Sequence, residues 1–260
     1  MDTSAQIAQD SGVLTLVYKD LAQPGVRQVG KALETTLQLG SSLLLPVRLL
    51  NEKVKQFEER KFREIAARFN KIPDEEIVDV SPEIGVPILE ALSITADSSL
   101  RTMFIELLAK SATMSELQVA HPVFVKFISS LSPDEAKILM EIKGAVPFID
   151  LVYKSKNEQN IHLIRELSRL KFEDFSEISY PNNIDIYMEN LFGLGLIYIE
   201  RIEFIAEEGI YESIFDKLKP SVKYDHTFED EGLTWNLDYR KGLIYMTSLG
   251  ETFARAVSQH

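Results

Sequence analysis

Cysteine is missing from this chain altogether. That single absence excludes disulfides, thiolate zinc sites, iron–sulfur clusters and cysteine nucleophiles, and it fits a reducing cytoplasm. Long apolar runs are missing too. The longest uncharged stretch, "TTLQLGSSLLLPV" (35–47), contains a proline and falls short of the roughly 20 residues a spanning helix needs. The opening "MDTSAQIAQDSG" lacks the basic start of a secretory signal. The expected location is therefore cytoplasmic, with peripheral attachment to the inner membrane left open. Positive charge is scarce: 28 Lys and Arg face 40 Asp and Glu, a net charge of −12. An extended nucleic-acid footprint needs a Lys or Arg for each phosphate it grips, so that balance argues against one. G-x-S-x-G, Walker and H-E-x-x-H sequences do not occur, and "GLG" (193–195) follows a helix where a nucleotide loop would follow a strand. No catalytic, cofactor-binding or metal-binding residue is nominated by any motif.

What is present is a globular composition, 45% hydrophobic and 26% charged over 260 residues. That length suits one large domain or two ordinary ones. Residues 1–23 form a polar start and a short helix, with Leu14, Val17, Tyr18 and Leu21 on one face, stopped by Pro24-Gly25. Val26, Val29, Leu33 and Leu37 mark a second helix. A third, long and charged, runs from Leu49 to Phe69 and ends before Pro73. "SPEIGVPILEAL" (81–92) has Ser81 as N-cap and Pro82 at the first helical position. In "SLRTMFIELLAKSA", Leu100, Met103, Phe104, Leu107 and Leu108 make a wide apolar stripe that must be buried. Residues 24–128 thus read as a helical bundle.

From residue 129 to 260 the grammar changes. "SPDEAKILMEIKG" (132–144) opens with a capping box, Ser132 and Glu135. "VPFIDLVY" (146–153) predicts a strand and "IHLIRELSRL" (161–170) a helix. A further helix, Ile184 to Leu194, runs through Gly195 as a left-handed cap into the strand "LIYIE" (196–200). "LTWNLDY" and "LIYMT" alternate on either side of "RKG" (240–242), which predicts a β-hairpin, and Thr247 caps a last helix. The fold class expected is mainly α: an N-terminal helical bundle, then an elaborated winged helix-turn-helix-like α+β domain. An insertion at about 201–232 carries a helix around "IYESIFDKL".

A recognition helix aims side chains at base edges and phosphates. The helix at 184–194 offers Asp185 and Glu189 as its charges, with Tyr187 and Asn190 as polar groups, and has no base of its own. Specific DNA binding through it is not expected, and the wing-tip pair Arg240-Lys241 does not make a surface. Among the histidines, His121 reads as a turn or cap residue. His162 and Glu166 share a helix face at metal-ligand spacing but lack a third ligand. His226 sits in an acidic loop, "DHTFEDE" (225–231), without the order of a calcium site.

One segment pulls the other way. From Arg48 to Lys71 the chain has eight Lys or Arg against four Glu. Arg48, Lys53, Lys55, Arg60, Lys61 and Arg63 are its candidate contacts. The bland reading is a solvated helix face balanced by Glu at helical spacing. The sharper one adds the uncharged segment before it and seats the pair on an anionic membrane surface or a protein partner.

The chain resembles the bacterial abortive-infection alpha family. The resemblance rests on "YKDLAQPGVRQVGKAL" (18–33), Pro46 with "LLNEK", "IPDEEIVDVSPEIGVPILEALSITADSSLRTMFIELLAKSA" (72–112), "AHPVFVKFISSLSPDEAKIL" (120–139) and "MTSLGETFARAVS" (246–258). It implies antiphage defence, in which an infected cell is killed or arrested, and it brings no accepted active-site residue. The function expected is a non-enzymatic defence protein acting through protein–protein or membrane-surface contacts, with homo-oligomers allowed. The alternatives are a winged-helix transcriptional regulator and a hydrolase or nuclease.

Overall fold

The computed structural model of the chain describes residues 24–36, 52–156, 162–171, 178–206, 208–221 and 225–259. The expected helix at Leu14–Leu21, residues 37–47 of the uncharged run, and Arg48 lie outside them. No helix among the described residues is long and apolar enough to cross a membrane. The chain divides into two compact units, Met1–Pro133 with Thr252–His260, and Asp134–Glu251.

The first unit is helical. Its described helices are α1 (Pro24–Ala32), α2 (Glu52–Phe69), α3 (Pro82–Ile94), α4 (Ser98–Ser111) and α5 (Pro122–Ser130). Val26 and Val29 on α1 and Leu33 just past its end are buried, as their spacing predicts, and Ile65 and Phe69 are buried on α2. Helices α2, α3 and α5 all touch α4. Asp97 caps α4, its carboxylate accepting from the amides of Ser99 (2.8 Å) and Leu100 (3.0 Å). The stripe Met103, Phe104, Leu107 and Leu108 is buried, but so is every other residue from Met103 to Lys110. The helix is enclosed on all sides, where its pattern predicts one buried face.

The second unit begins with α6 (Pro133–Glu141) and holds a five-stranded antiparallel sheet. Its strands are β1 (Val146–Lys156), β2 (His162–Lys171), β3 (Ile197–Glu200), β4 (Thr227–Asp230) and β5 (Leu233–Met246). The order is β2-β1-β5-β3, with β4 also paired to β5. Helix α7 (Ile184–Gly193) touches β2 and β3. Helix α8 (Ile210–Leu218) lays Tyr211 and Ile214 on Ile149 and Leu151 of β1. The last helix, α9 (Ser248–Val257), starts with Thr247, whose hydroxyl accepts from the Gly250 amide at 2.9 Å.

Local signals at α7 hold well. Gly195 has φ of 72°. The amide of Leu196 reaches the Leu191 carbonyl at 3.0 Å and that of Gly195 the Phe192 carbonyl at 2.9 Å. These two bonds make a Schellman ending that a left-handed residue permits.

Three expectations are corrected. Residues 161–170 are not a helix: residues 162–171 form β2, antiparallel to β1 with Lys156 opposite His162 and Val152 opposite Glu166. Pairing with a distant strand overrides a helix-like spacing of leucines. The hairpin turn is not at 240–242, because β5 runs straight through Arg240, Lys241 and Gly242 for 14 residues. Gly242 is there for space: a Cβ would lie 2.3 Å from the Phe148 ring and 2.7 Å from the Glu200 carbonyl. The true turn is Glu231-Gly232 between β4 and β5, both residues left-handed with φ of 50° and 73°. That is the two-residue turn whose twist suits antiparallel strands. It also converts most of the expected acidic loop into strand β4.

The distinction between a turn glycine and a packing glycine is measurable. Gly242→Ala is expected to destabilise the second unit by about 1–3 kcal/mol in urea unfolding, as overpacking does. Adding Phe148→Leu should return part of that loss. A turn residue would show no such rescue.

Candidate functional site

Three of the six cations of the expected basic face are described with their side chains. Arg48 lies outside the described residues, and for Lys53 and Lys55 only the helical backbone of α2 is described. Arg60 is exposed and lies 3.5 Å from Glu64 one turn on. Arg63 is exposed three residues further along. Lys61, between them, is buried at 4% exposure, its ammonium donating to the Leu92 carbonyl in the last turn of α3. A cation at that position satisfies an orphan carbonyl and meets the negative end of the helix dipole. Only Arg60 and Arg63 of the six candidates are thus placed on the exposed surface.

Around α4 the structure gathers charges that no motif announced. Arg68 donates from Nε to Glu106 Oε2 at 2.7 Å, and Glu106 is 1% exposed. Arg101, also buried, donates from Nε to Glu64 Oε2 at 2.6 Å. Lys110 is buried too; its ammonium donates to the carbonyls of Arg255 and, at 3.0 Å, Ser258, at the end of α9. Burial pushes the Lys110 ammonium below its ordinary pKa, against the pull of Glu116 and Glu106. The readable signal was the spacing of Glu64 and Arg68 on α2. At i, i+4 they share one face, and they match Arg101 and Glu106 in opposite sign. Chemically this is a set of ion pairs and helix caps. The open trough of about 800 Å³ between α3 and α5 is lined elsewhere, its apolar part by Pro87, Ala91, Ile94, Pro122 and Val125.

In the second unit, α7 turns Tyr187 and Asn190 inward. Tyr187 is buried and donates to Asp134 Oδ2 at 3.0 Å; Asn190 Nδ2 donates to Glu135 Oε1 at 2.9 Å. Asp134 also accepts from the amides of Ser179 (2.9 Å) and Tyr180 (3.0 Å). The outward side of α7 shows Ile186 at 66% and Phe192 at 50% exposure, with Glu189 exposed between them.

The histidines make no centre. His121 caps α5, its Nδ1 accepting from the Val123 amide at 3.1 Å. His162 and Glu166 lie on strand β2 and not on a helix, four residues apart and so about 13 Å along an extended chain. Among the described residues no three His, Cys, Asp or Glu side chains could hold a metal.

Burial works against the Asp134 carboxylate, but the hydrogen bonds from Ser179, Tyr180 and Tyr187 outweigh it and hold the carboxyl below its ordinary pKa. Such a group contributes stability that is complete above its unfolded pKa of about 4 and lost as pH falls through the folded value. Asp134→Asn is therefore expected to cost about 2 kcal/mol at neutral pH. The gap to the parent protein should close in unfolding curves taken below pH ~4.

A family model described as Abortive infection alpha matches residues 52–257, from the start of α2 to the end of α9. No curated protein and no solved structure matches the chain. The match takes in the ion-paired helices of the first unit and the whole described sheet of the second, and it ties the chain to abortive-infection defence. On that extent, this chain belongs to the abortive infection alpha family.

Proposed function

We propose that this protein serves antiphage abortive infection as a sensor or effector without covalent chemistry of its own, acting by contact with a protein partner. One observation carries the reading: α7 points Ile186 and Phe192 outward, and turns Tyr187 and Asn190 inward. Large apolar side chains exposed on one helix face are typical of protein contact surfaces. A groove-reading helix would need bases there, and Glu189 would repel phosphate.

We infer further that the second unit is a winged-helix derivative, supported by the run from α7 into β3 and by the placing of β5 between β1 and β3. In this reading the helix that would read DNA has been given over to protein. Among the described residues, a membrane-surface role is supported by the exposed pair Arg60 and Arg63. Two cations contribute about 1 kcal/mol each at an anionic surface, which is weak attachment.

The test is phage challenge of cells expressing the parent chain or the double variant Ile186→Ser with Phe192→Ser, both checked for folding by circular dichroism. Loss of a contact hot spot of about 2 kcal/mol predicts at least roughly tenfold weaker protection. Undiminished protection by the folded double variant would refute the reading. Protection that instead falls with Arg60→Gln and Arg63→Gln, together with loss of flotation on anionic liposomes, would transfer the function to the membrane.

A further inference from the structure

The sheet of the second unit is covered unevenly. On the face that carries Ile149 and Leu151, α8 supplies Tyr211 and Ile214, and Tyr239 of β5 packs against the same group. Side chains alternate along a strand, so residues 239, 241, 243 and 245 of β5 share this face. Tyr239 meets the Phe215 ring at 4.9 Å, and the Lys241 ammonium lies 5.1 Å from the Tyr211 ring centre and 5.4 Å from that of Phe204. Beyond Lys241 the cover ends.

There the register sets Tyr198 opposite Tyr245 and Glu200 opposite Leu243, a block of four side chains on the uncovered part. The two tyrosine rings are 5.3 Å apart, tilted by 42°, and both remain exposed. Ile202 and Phe204, also exposed, follow directly in the chain. Strand β3 is the last in the sheet order, so this block sits at the sheet's margin.

The carboxylates beside it are Glu200 and Glu203, while Lys241, the next residue along this face of β5, is ion-paired with Glu212 at 3.5 Å. Glu200 Oε1 accepts from the Ile202 amide at 2.6 Å. That bond, helped by the amides of Arg201 and Glu203 against a smaller burial effect, keeps its carboxyl below the ordinary range. The carboxylate is thereby held ionised and in place beside the ring pair. Desolvation raises the Tyr245 phenol, and Tyr198, Glu200 and Glu203 add to the effect.

We propose that this uncovered end of the sheet is a docking surface for an arginine- or lysine-bearing segment of a partner protein. One cationic side chain sits on the Tyr198–Tyr245 pair, with Glu200 and Glu203 as its counter-charges. An aromatic face attracts a cation through its quadrupole, and adjacent carboxylates add an ordinary ion-pair attraction. The aliphatic neighbours in such a segment have Leu243, Ile202 and Phe204 to cover. A second copy meeting this patch through a two-fold axis would bring Glu200 and Glu203 against their own equivalents, which repels. An anionic bilayer is repelled for the same reason. This goes beyond the α7 contact, and it stands whether or not Ile186 and Phe192 touch a partner.

The probe is a fluorescein-labelled hexapeptide of alternating Arg and Leu, titrated with the full chain and read by anisotropy, beside an alternating Glu and Leu peptide. The Arg–Leu peptide is expected to bind and to weaken as salt rises. Tyr198→Ser with Tyr245→Ser leaves net charge unchanged and is expected to weaken binding by roughly tenfold, whereas Tyr198→Phe with Tyr245→Phe keeps the rings and should keep binding. Glu203→Gln should weaken it by a smaller factor. If the serine pair unfolds, Tyr198→Leu with Tyr245→Leu takes its place, keeping bulk while removing the ring faces. The proposal is overturned by no binding of the Arg–Leu peptide, or by equal binding of the Glu–Leu peptide. Binding that the folded Ser or Leu pair leaves intact also overturns it, since that would be attraction to a chain of net charge −12 and nothing more.

Discussion

The first unit depends on charge buried along one helix. From Met103 to Lys110, α4 has no exposed residue, yet it carries Glu106 and Lys110 inside that stretch and the buried Arg101 just before it. Isolated charges in such a place would cost several kcal/mol each. They are tolerated because Glu64 and Arg68 on α2 stand at the spacing that answers Arg101 and Glu106, and because the end of α9 offers carbonyls to Lys110. Taking away one partner strands the other, typically at 3–5 kcal/mol, while replacing a whole pair by apolar groups is often neutral. The ion pairs therefore do more to dictate which helix meets α4, and in what register, than to add net stability. Lys110 extends the rule to the chain's end, fixing the last turn of α9 to the middle of the bundle.

The same demand takes up two cations of the basic segment. Counted along the sequence, its surplus of cations suggests a surface. Folded, Arg68 answers Glu106, and Lys61 answers the carbonyl end of α3. A helix C-terminus and a buried carboxylate are both sinks for positive charge, and a segment beside them needs extra bases simply to satisfy them. Charge density read from a sequence measures supply. It does not say how much the interior consumes.

What could be read in advance was local. The Schellman ending at Gly195, the Thr247 cap and the buried stripes of α1 and α4 each depend on residues within a turn or two of one another. What escaped was set by partners far along the chain. Residues 162–171 pair with β1, and Gly242 yields to the Phe148 ring, so neither the leucine spacing nor the glycine is a local signal. Tyr187 and Asn190 escaped for another reason. An amphipathic reading sends polar groups to solvent, but Asp134 and Glu135 are buried acceptors and draw those two inward. With Tyr187 and Asn190 committed inside, the outer face of α7 shows Ile186 and Phe192 with Glu189 between them.

That inversion bears on how a protein of this family can act. A helix whose donors are spent on a neighbouring helix has none to offer a base edge, and its exposed apolar atoms gain only by leaving water. The margin of the sheet follows similar logic, with Tyr198 and Tyr245 wet and Glu200 held ionised beside them. Both surfaces reward a ligand that brings apolar area, and the second also rewards positive charge; neither rewards a polyanion. On the reading proposed above, such surfaces are met by a polypeptide that can supply apolar area and, at the sheet margin, positive charge.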